Sequence, residues 1–557
     1  MADASGATLI TTGMLPFVVL LSAVLTVPVS VALLALYRRA VLRSMAAAGS
    51  AAAREPVRPS PRVPPPAAEL QLQAVSPEAR ASTPALAAAG HSLRKAVAVY
   101  VGAGLVYALV LGGTWMLLAR DSGFPLLRFL WLLSCYAWPT VLAVGLIAAV
   151  TRRQRLQLGG LYFSLLLALA VAGVARNAEL SLGQLAGFWL LTNAPATVLL
   201  LAFLQRRVRA VGPLILAFMV VAITGSQLAV SLVSRSDAAV GAAVGAGGAF
   251  GLGGTGTFFA IMALGAVIAA IAGWKWLQWL GRRHRERRTS DQALTLDAMW
   301  LLFGVVQTIG FAFEGILWVL AGLVAFAAYK LAARLGFALA GLGRAAGKEP
   351  SLLLLRVFAL GTRSERLFDA LTKHWLRAGD ISLIAGPDLA TTTVEPHEFL
   401  DFVGGHLSRQ FVRDEADLAR RFAERALGPD PDGRHRVNEF FCHADTWQPA
   451  MRRLAASADA VLMDLRSFSP ANQGCQYELQ QLLDIVPLAR TVFLIDPTTD
   501  RAFFEATLRR LWQMVAAESP NRSLPSARVA VLTADGGGEF ELAPLLALLH
   551  TAAAGAA

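Results

Sequence analysis

This sequence has few cysteines and little charge. Three cysteines in 557 residues, Cys135, Cys442 and Cys475, supply no disulfide framework and no paired Cys/His spacing for a metal. Their scarcity suits a reducing compartment. Charged residues make up 16% of the chain against 55% hydrophobic, a balance that points away from a large soluble protein. The charge is also divided unevenly. Residues 1–350 hold 29 Lys/Arg and 12 Asp/Glu, net +17, whereas residues 351–557 hold 21 and 26, net −5. The acidic half carries no basic stripe, which speaks against a nucleic-acid partner. The basic excess belongs to the apolar half, where Arg and Lys face anionic lipid.

Apolar runs long enough to cross about 30 Å of hydrocarbon recur at residues 14–37, 96–119, 129–150, 158–175, 184–204, 210–233 and 257–274. The first is too long for the apolar core of a signal peptide, and Asp3 rather than a basic cluster precedes it. Residues 38–95 are rich in proline and alanine and predict a disordered linker. Residues 297–335 predict a helical hairpin or re-entrant pair turning at Phe313-Glu314-Gly315. Arginine clusters follow alternate runs, at Arg38 to Arg43, Arg152 to Arg155, Arg206 to Arg209 and Arg282 to Arg288. The intervening loops, notably the Gly/Ala-rich stretch after Asp237, are poor in charge. This pattern predicts a multi-pass protein of the cell (inner) membrane, N-terminus outside, with its last domain cytoplasmic.

Polar residues within the runs are few: Asn193 near Pro195, Gln227, Lys275 and Gln307. Asn193-Ala194-Pro195 reads as a kink, and Lys275 as a side chain reaching for the interface beside Trp274 and Trp276. No charged string marks a proton path and no paired broken helices mark a transporter repeat. The membrane region, bounded at residues 96–345, reads as a scaffold.

From residue 351 to 557 the texture changes to short apolar runs alternating with helix-period segments, which predicts an α/β domain with a mostly parallel sheet. Strands are expected at 352–359, 381–385, 436–442, 460–465, 491–495 and 528–532. Helices are expected at 363–377, 396–411, 415–426, 446–457, 473–485, 501–517 and 540–550. Sites in such sheets form beyond the carboxyl ends of the strands. After the first strand, Gly361, Thr362 and Arg363 offer free amides and a cation for a phosphate, or simply a capped helix start with Glu365. Residues 386–395 form a threonine-rich loop able to cover the site. Cys442, His443 and Asp445 lack a third partner for a triad or a metal set, and Asp445 reads as an N-cap.

The fourth loop carries the strongest signal. In "ADAVLMDLRSFSPANQGCQYEL" a strand ends at Asp464, Ser469-Pro470 turns the chain, and Gly474-Cys475 opens a helix bearing Glu478. An acid in a first helical turn is expected to stay ionised. It either complements the helix dipole or serves scission of an N-glycosidic bond, as nucleophile or as stabiliser of an oxocarbenium-like transition state.

These residues resemble the strand–loop–helix of TIR domains, in which a serine-bearing loop precedes a W-C-x-x-E-L signature whose glutamate serves NAD cleavage. Ser469, Cys475, Glu478 and Leu479 match, and Gly474 stands in place of the tryptophan. They are also similar to nucleoside deoxyribosyltransferases, matched by Asp459, Asp464, Gly474 and Glu478. The resemblance spans about a quarter of the chain and implies a flavodoxin-like, TIR-like domain. Glu478 would be its catalytic residue; Gly361, Thr362, Arg363, Asp464, Ser469, Gly474 and Cys475 would bind the nucleotide. It further implies NAD as substrate rather than cofactor, self-association through the domain, and a role in bacterial signalling or defence. A non-catalytic assembly module fits the same residues.

Overall fold

The computed structural model describes residues 24–44, 66–74, 84–119, 125–149, 152–177, 179–203, 211–308, 310–311, 318, 320–344, 349–356, 362–385, 396–407, 411–443, 445–534 and 542–555. The chain forms two units. One comprises Met1–Leu36, Val97–Ala340 and Val394–Leu400; the other Tyr37–Ala96, Gly341–Thr393 and Asp401–Ala557.

Among the described residues, the long apolar segments of the sequence are helical. These helices, in chain order, are α1 (Val24–Ser44), α2 (Pro84–Leu118), α3 (Leu126–Tyr136), α4 (Trp138–Ile147), α5 (Arg152–Arg176), α6 (Leu182–Phe203), α7 (Gly212–Val233), α8 (Asp237–Ala249), α9 (Gly254–Arg285), α10 (Asp291–Thr308) and α11 (Leu320–Ala340). Among the described residues, seven helices are long and apolar enough to cross a membrane: α1, α2, the α3–α4 pair, α5, α6, α9 and α11. Side chains such as Leu161 on α5 and Leu264 on α9 are exposed in the protein alone, as lipid-facing residues would be. The third expected run is broken at Ala137, where Pro139 in the first turn of α4 has no N–H to continue α3. The charge-poor stretch expected as a loop forms α8, capped by Ser236, whose side chain accepts from the Ala239 N–H. The expected hairpin is present as α10 and α11; its turn at 313–315 lies outside the described residues.

Small residues set the closest helix crossings. A Cβ on Gly265 of α9 would sit 2.6 Å from the Gly225 carbonyl oxygen of α7, and one on Gly322 of α11 would strike Gly304 of α10. Backbones meet there as they do at small-residue interfaces in lipid. Buried polar groups join α2, α10 and α6: Tyr107 donates to Gln307 Oε1 at 2.8 Å, and Gln307 Nε2 donates to Asn193 Oδ1 at 2.9 Å. Asn193 Nδ2 in turn donates to the Trp189 carbonyl within α6. Thus the Asn193 reading as a local kink is incomplete, because its amide also bridges to α10.

The second unit is built on an eight-stranded parallel sheet. Its strands are β1 (Leu70–Ala74), β2 (Ser351–Arg356), β3 (Asp380–Ile384), β4 (Phe411–Val412), β5 (Val437–Cys442), β6 (Ala460–Asp464), β7 (Thr491–Ile495) and β8 (Ala527–Thr533), in the order β1-β8-β7-β6-β2-β3-β5-β4. Its helices are α12 (Thr362–Trp375), α13 (Pro396–Val403), α14 (Glu415–Ala423), α15 (Trp447–Ser457), α16 (Gln473–Ile485), α17 (Arg501–Gln513) and α18 (Leu542–Ala554). Every residue of β2, β6 and β7 is buried, as expected of strands covered on both faces. Leu353, Val461, Met463 and Phe493 face one core with Leu479 and Trp512; Leu352, Leu462, Val492 and Leu494 face the other with Leu371 and Leu545.

Two features depart from expectation. The linker is not wholly disordered: Leu70–Ala74 pairs in register with 527–531 of β8, Leu70 enters the core at 6% exposure, and Trp512 Nε1 donates to the Ala68 carbonyl at 2.8 Å. Also, the segment expected as helix up to residue 411 ends in the short strand β4, which pairs with β5.

Candidate functional site

The order of strands locates the site. From β2 the chain passes to β3, out to the edge strand β4 and back to β5 between them, then crosses to β6 on the other side of β2 and winds on through β7 and β8. Adjacent strands whose connections leave in opposite directions open a crevice past their carboxyl ends. At β2 and β6 those ends are Arg356 and Asp464, which are register partners. Both side chains are buried.

β6 ends and α16 begins around a tight loop. Arg466 grips Asp464 through two bonds, Nε to Oδ1 at 2.8 Å and Nη2 to Oδ2 at 2.7 Å. Ser467 follows at φ 60°, in the left-handed region that side chains avoid, and its hydroxyl lies 2.8 Å from Thr498 Oγ1 beyond β7. Thr498 Oγ1 donates to Asp496, so Ser467 must donate to Thr498. Non-glycine residues held in this conformation cost about 1–3 kcal/mol and gather at functional loops. Ser469 closes the turn, its amide and hydroxyl both directed to Asn472 Oδ1 at 2.9 and 3.1 Å.

Glu478 projects from α16 into this region, but not as the sequence suggested. The residue is 3% exposed, and its Oε2 makes no hydrogen bond. Burial pushes its carboxyl up to about 8, against the smaller opposing pull of the Arg356 guanidinium. The carboxyl expected to stay ionised is thus shifted towards its protonated form. Helix-terminal charge complementarity loses to desolvation because the side chain sits inside the fold and not at the rim of the helix. The neighbouring Cys475 is likewise buried, and desolvation followed by the nearby Glu478 and Asp464 charges raises its thiol far above the ordinary range. It is no nucleophile as placed. Gly474 is exposed, and a Cβ on it would meet no other part of the chain. Its glycine is not demanded by packing.

The other expected site residues fall as follows. Gly361 and the side chains of Thr362 and Arg363 lie outside the described residues, as does the loop at 386–395; the backbone of Thr362 begins α12. Asp464 and Ser469 are in place beside Glu478's helix, but both are committed to internal bonds. Asp459 stands at the opposite end of β6, where its carboxylate accepts from the Ser351 N–H at 3.1 Å. It belongs to a supporting network there with Asp380, Ser351 and Asn438. Cys442 is buried with its thiol pushed up to about 12, and His443 stacks on Phe411 at 4.9 Å. That pair therefore has no nucleophilic character. Thr446, not Asp445, is the N-cap of α15, and its hydroxyl accepts from the His443 N–H.

Sequence reasoning passed over Arg356, Arg466 and Asp496. A signal was available: an arginine, Arg356, closes the buried apolar run Ser351–Arg356 at the carboxyl end of β2. No group of His, Cys, Asp or Glu among the described residues is arranged to hold a metal ion. Compared with protein families, curated proteins and solved structures, the chain matches none, so the reading of this site rests on its own residues.

Proposed function

We propose that this chain is a multi-pass membrane protein whose C-terminal α/β unit binds a nucleotide or nucleoside and cleaves its N-glycosidic bond, with Glu478 as the reacting carboxyl. The run β3-β2-β6-β7-β8 within the eight-stranded sheet supports this reading, because five-stranded flavodoxin-like sheets share that order and bind nucleotides at the switch point. The arginine pattern of the loops supports a cell-membrane location with this unit in the cytoplasm. Signalling or defence is the role that the TIR-like resemblance implies.

One observation carries the reading. A carboxyl oxygen buried without a hydrogen-bond partner costs about 1–3 kcal/mol, and Glu478 Oε2 is so placed, on the helix that follows β6 and within electrostatic reach of Arg356 at the end of β2. Groups kept in a costly environment within a cleft are characteristic of chemistry rather than of scaffolding. Full-length protein in nanodiscs, incubated with NAD, nucleosides and nucleotides, tests the proposal. Release of free base by wild type and its loss in Glu478→Gln support it. Neither release nor saturable binding of any ribosyl compound, at concentrations where the protein self-associates, refutes it.

The same burial favours a second reading, a non-catalytic module that assembles with copies of itself. Concentration-dependent oligomers unaffected by Glu478→Gln, together with no base release, would select it. A transporter reading gains little: the buried amides of Asn193 and Gln307 already satisfy one another.

A further inference from the structure

Resting on the assignment of Glu478 as the reacting carboxyl, the geometry says which leaving group it suits. We infer that Glu478 acts as proton donor to the departing base, and that the substrate is therefore an N-riboside with an uncharged purine or pyrimidine base rather than a pyridinium nucleotide such as NAD. A pyridinium base departs as a neutral molecule and needs no acid. A neutral base departs as an anion unless a ring nitrogen or exocyclic oxygen is protonated as the bond breaks. An anionic carboxylate would serve the first case, by facing the developing charge on the sugar. A neutral carboxyl serves the second.

The surroundings of Glu478 favour the neutral form from every side. Leu479 and Cys475 on its own helix are buried beside it and supply no charge, the thiol being held protonated. From β2, Arg356 is the one cation among the described residues within effective reach, and its pull is outweighed by burial. From β6, Asp464 is neutralised by Arg466, leaving no free cation. Arg452 of α15 and Arg510 of α17 are occupied on the outer face of α16, bonded to Tyr477 at 3.0 Å and Gln476 at 2.9 Å. The carboxyl's unbonded Oε2 then has a proton to give and, among the described residues, no acceptor to give it to. A pKa near 8 places that proton in the useful range for general acid catalysis at neutral pH.

The step balances without any co-reactant but water. The C1′–N bond breaks with its electron pair moving to the base, which takes the Glu478 proton and leaves as the neutral molecule. Water adds to C1′, and its proton returns to the Glu478 carboxylate.

Leaving-group dependence is the test, run on the full chain in nanodiscs. Inosine and uridine monophosphate serve as neutral-base probes, NAD as the pyridinium probe, and 4-nitrophenyl riboside as a substrate whose leaving group needs no proton. Glu478→Gln is expected to lower neutral-base release by about 10²–10⁴-fold while leaving 4-nitrophenyl release within a few-fold of wild type, which also shows that the variant is folded. Glu478→Asp should restore part of the loss, and wild-type rates should fall above about pH 8. If Glu478→Gln abolishes NAD and nitrophenyl cleavage as thoroughly as inosine cleavage, the carboxyl acts as nucleophile or anion and the inference is overturned, while the N-glycosidic reading stands. If no probe is cleaved by any form, both fall.

Discussion

Replacing Glu478 by glutamine should make the second unit more stable at neutral pH, not less. Glutamine copies the shape of the protonated acid without its ability to ionise. In the folded protein the carboxyl titrates near 8, and in the unfolded chain near 4.5. Between those values the folded state holds a proton that the unfolded state has released, so stability is full below about pH 4.5 and declines as pH rises towards 8. At about 1.4 kcal/mol per pH unit, the decline reaches about 4–5 kcal/mol over the whole window. Most of it has accrued by pH 7.5. The Gln variant lacks this slope, so the two proteins should agree near pH 4 and differ by about 4 kcal/mol at pH 7.5. Urea unfolding in detergent, followed through Trp447 and Trp512 at a series of pH values, reads the difference. Parallel stability curves for the two proteins would show that the carboxyl is solvated or paired, and the argument from its burial would fail. A stabilising substitution that also abolishes activity is the expected signature of a residue kept for chemistry.

Other consequences can be measured in the same way. His550 stacks on Trp375 at 4.7 Å with neither ring nitrogen bonded, and burial holds it down to about 4. Its folded value lies below the unfolded 6.5, so wild type should lose up to about 3 kcal/mol as pH falls from 6.5 to 4; His550→Phe should remove that slope in acid unfolding curves. Leu70→Ala should cost about 2–4 kcal/mol, read as a lower urea midpoint of the second unit, although the residue lies in a proline-rich stretch far from it in sequence. A fragment beginning at residue 350 lacks β1 and should be aggregation-prone until a peptide of residues 66–74 is added, with light scattering as the readout. Gly322→Val should drive α11 off Gly304 and lower the melting temperature in detergent, by at least the roughly 1–3 kcal/mol of an overpacked contact.

The parts of the fold that read well from sequence are those buried on two sides. β6, α16 and β7 fall where the apolar runs place them, because strands such as Thr491–Ile495 are continuous hydrophobic stretches and α16 keeps one apolar stripe. β1 was illegible for the opposite reason. As an edge strand it commits little more than Leu70 to the core, and the alternation in LQLQA is too short to stand out from a proline-rich background. The position of Glu478 was also legible, from its spacing to Gly474 and Asp464. Its protonation was not, since that comes from burial by the assembled fold, against the pull of Arg356 from a strand more than a hundred residues earlier. Asp464 shows the same limit: a carboxylate at a strand end looks available until Arg466, two residues on, is seen to claim both its oxygens.

The pairing of β1 with β8 also bears on any bilayer that the apolar helices cross. Hydrogen-bonded strands share one aqueous compartment, so in a membrane the segment between α1 and α2 would lie on the same side as the C-terminal sheet. The passages between them would then be even in number, and the six long candidates after α1, namely α2, α3–α4, α5, α6, α9 and α11, make such a tally. In that setting the shorter helices α7 and α10 would traverse together or not at all. A five-residue strand would thus constrain helices more than two hundred residues away.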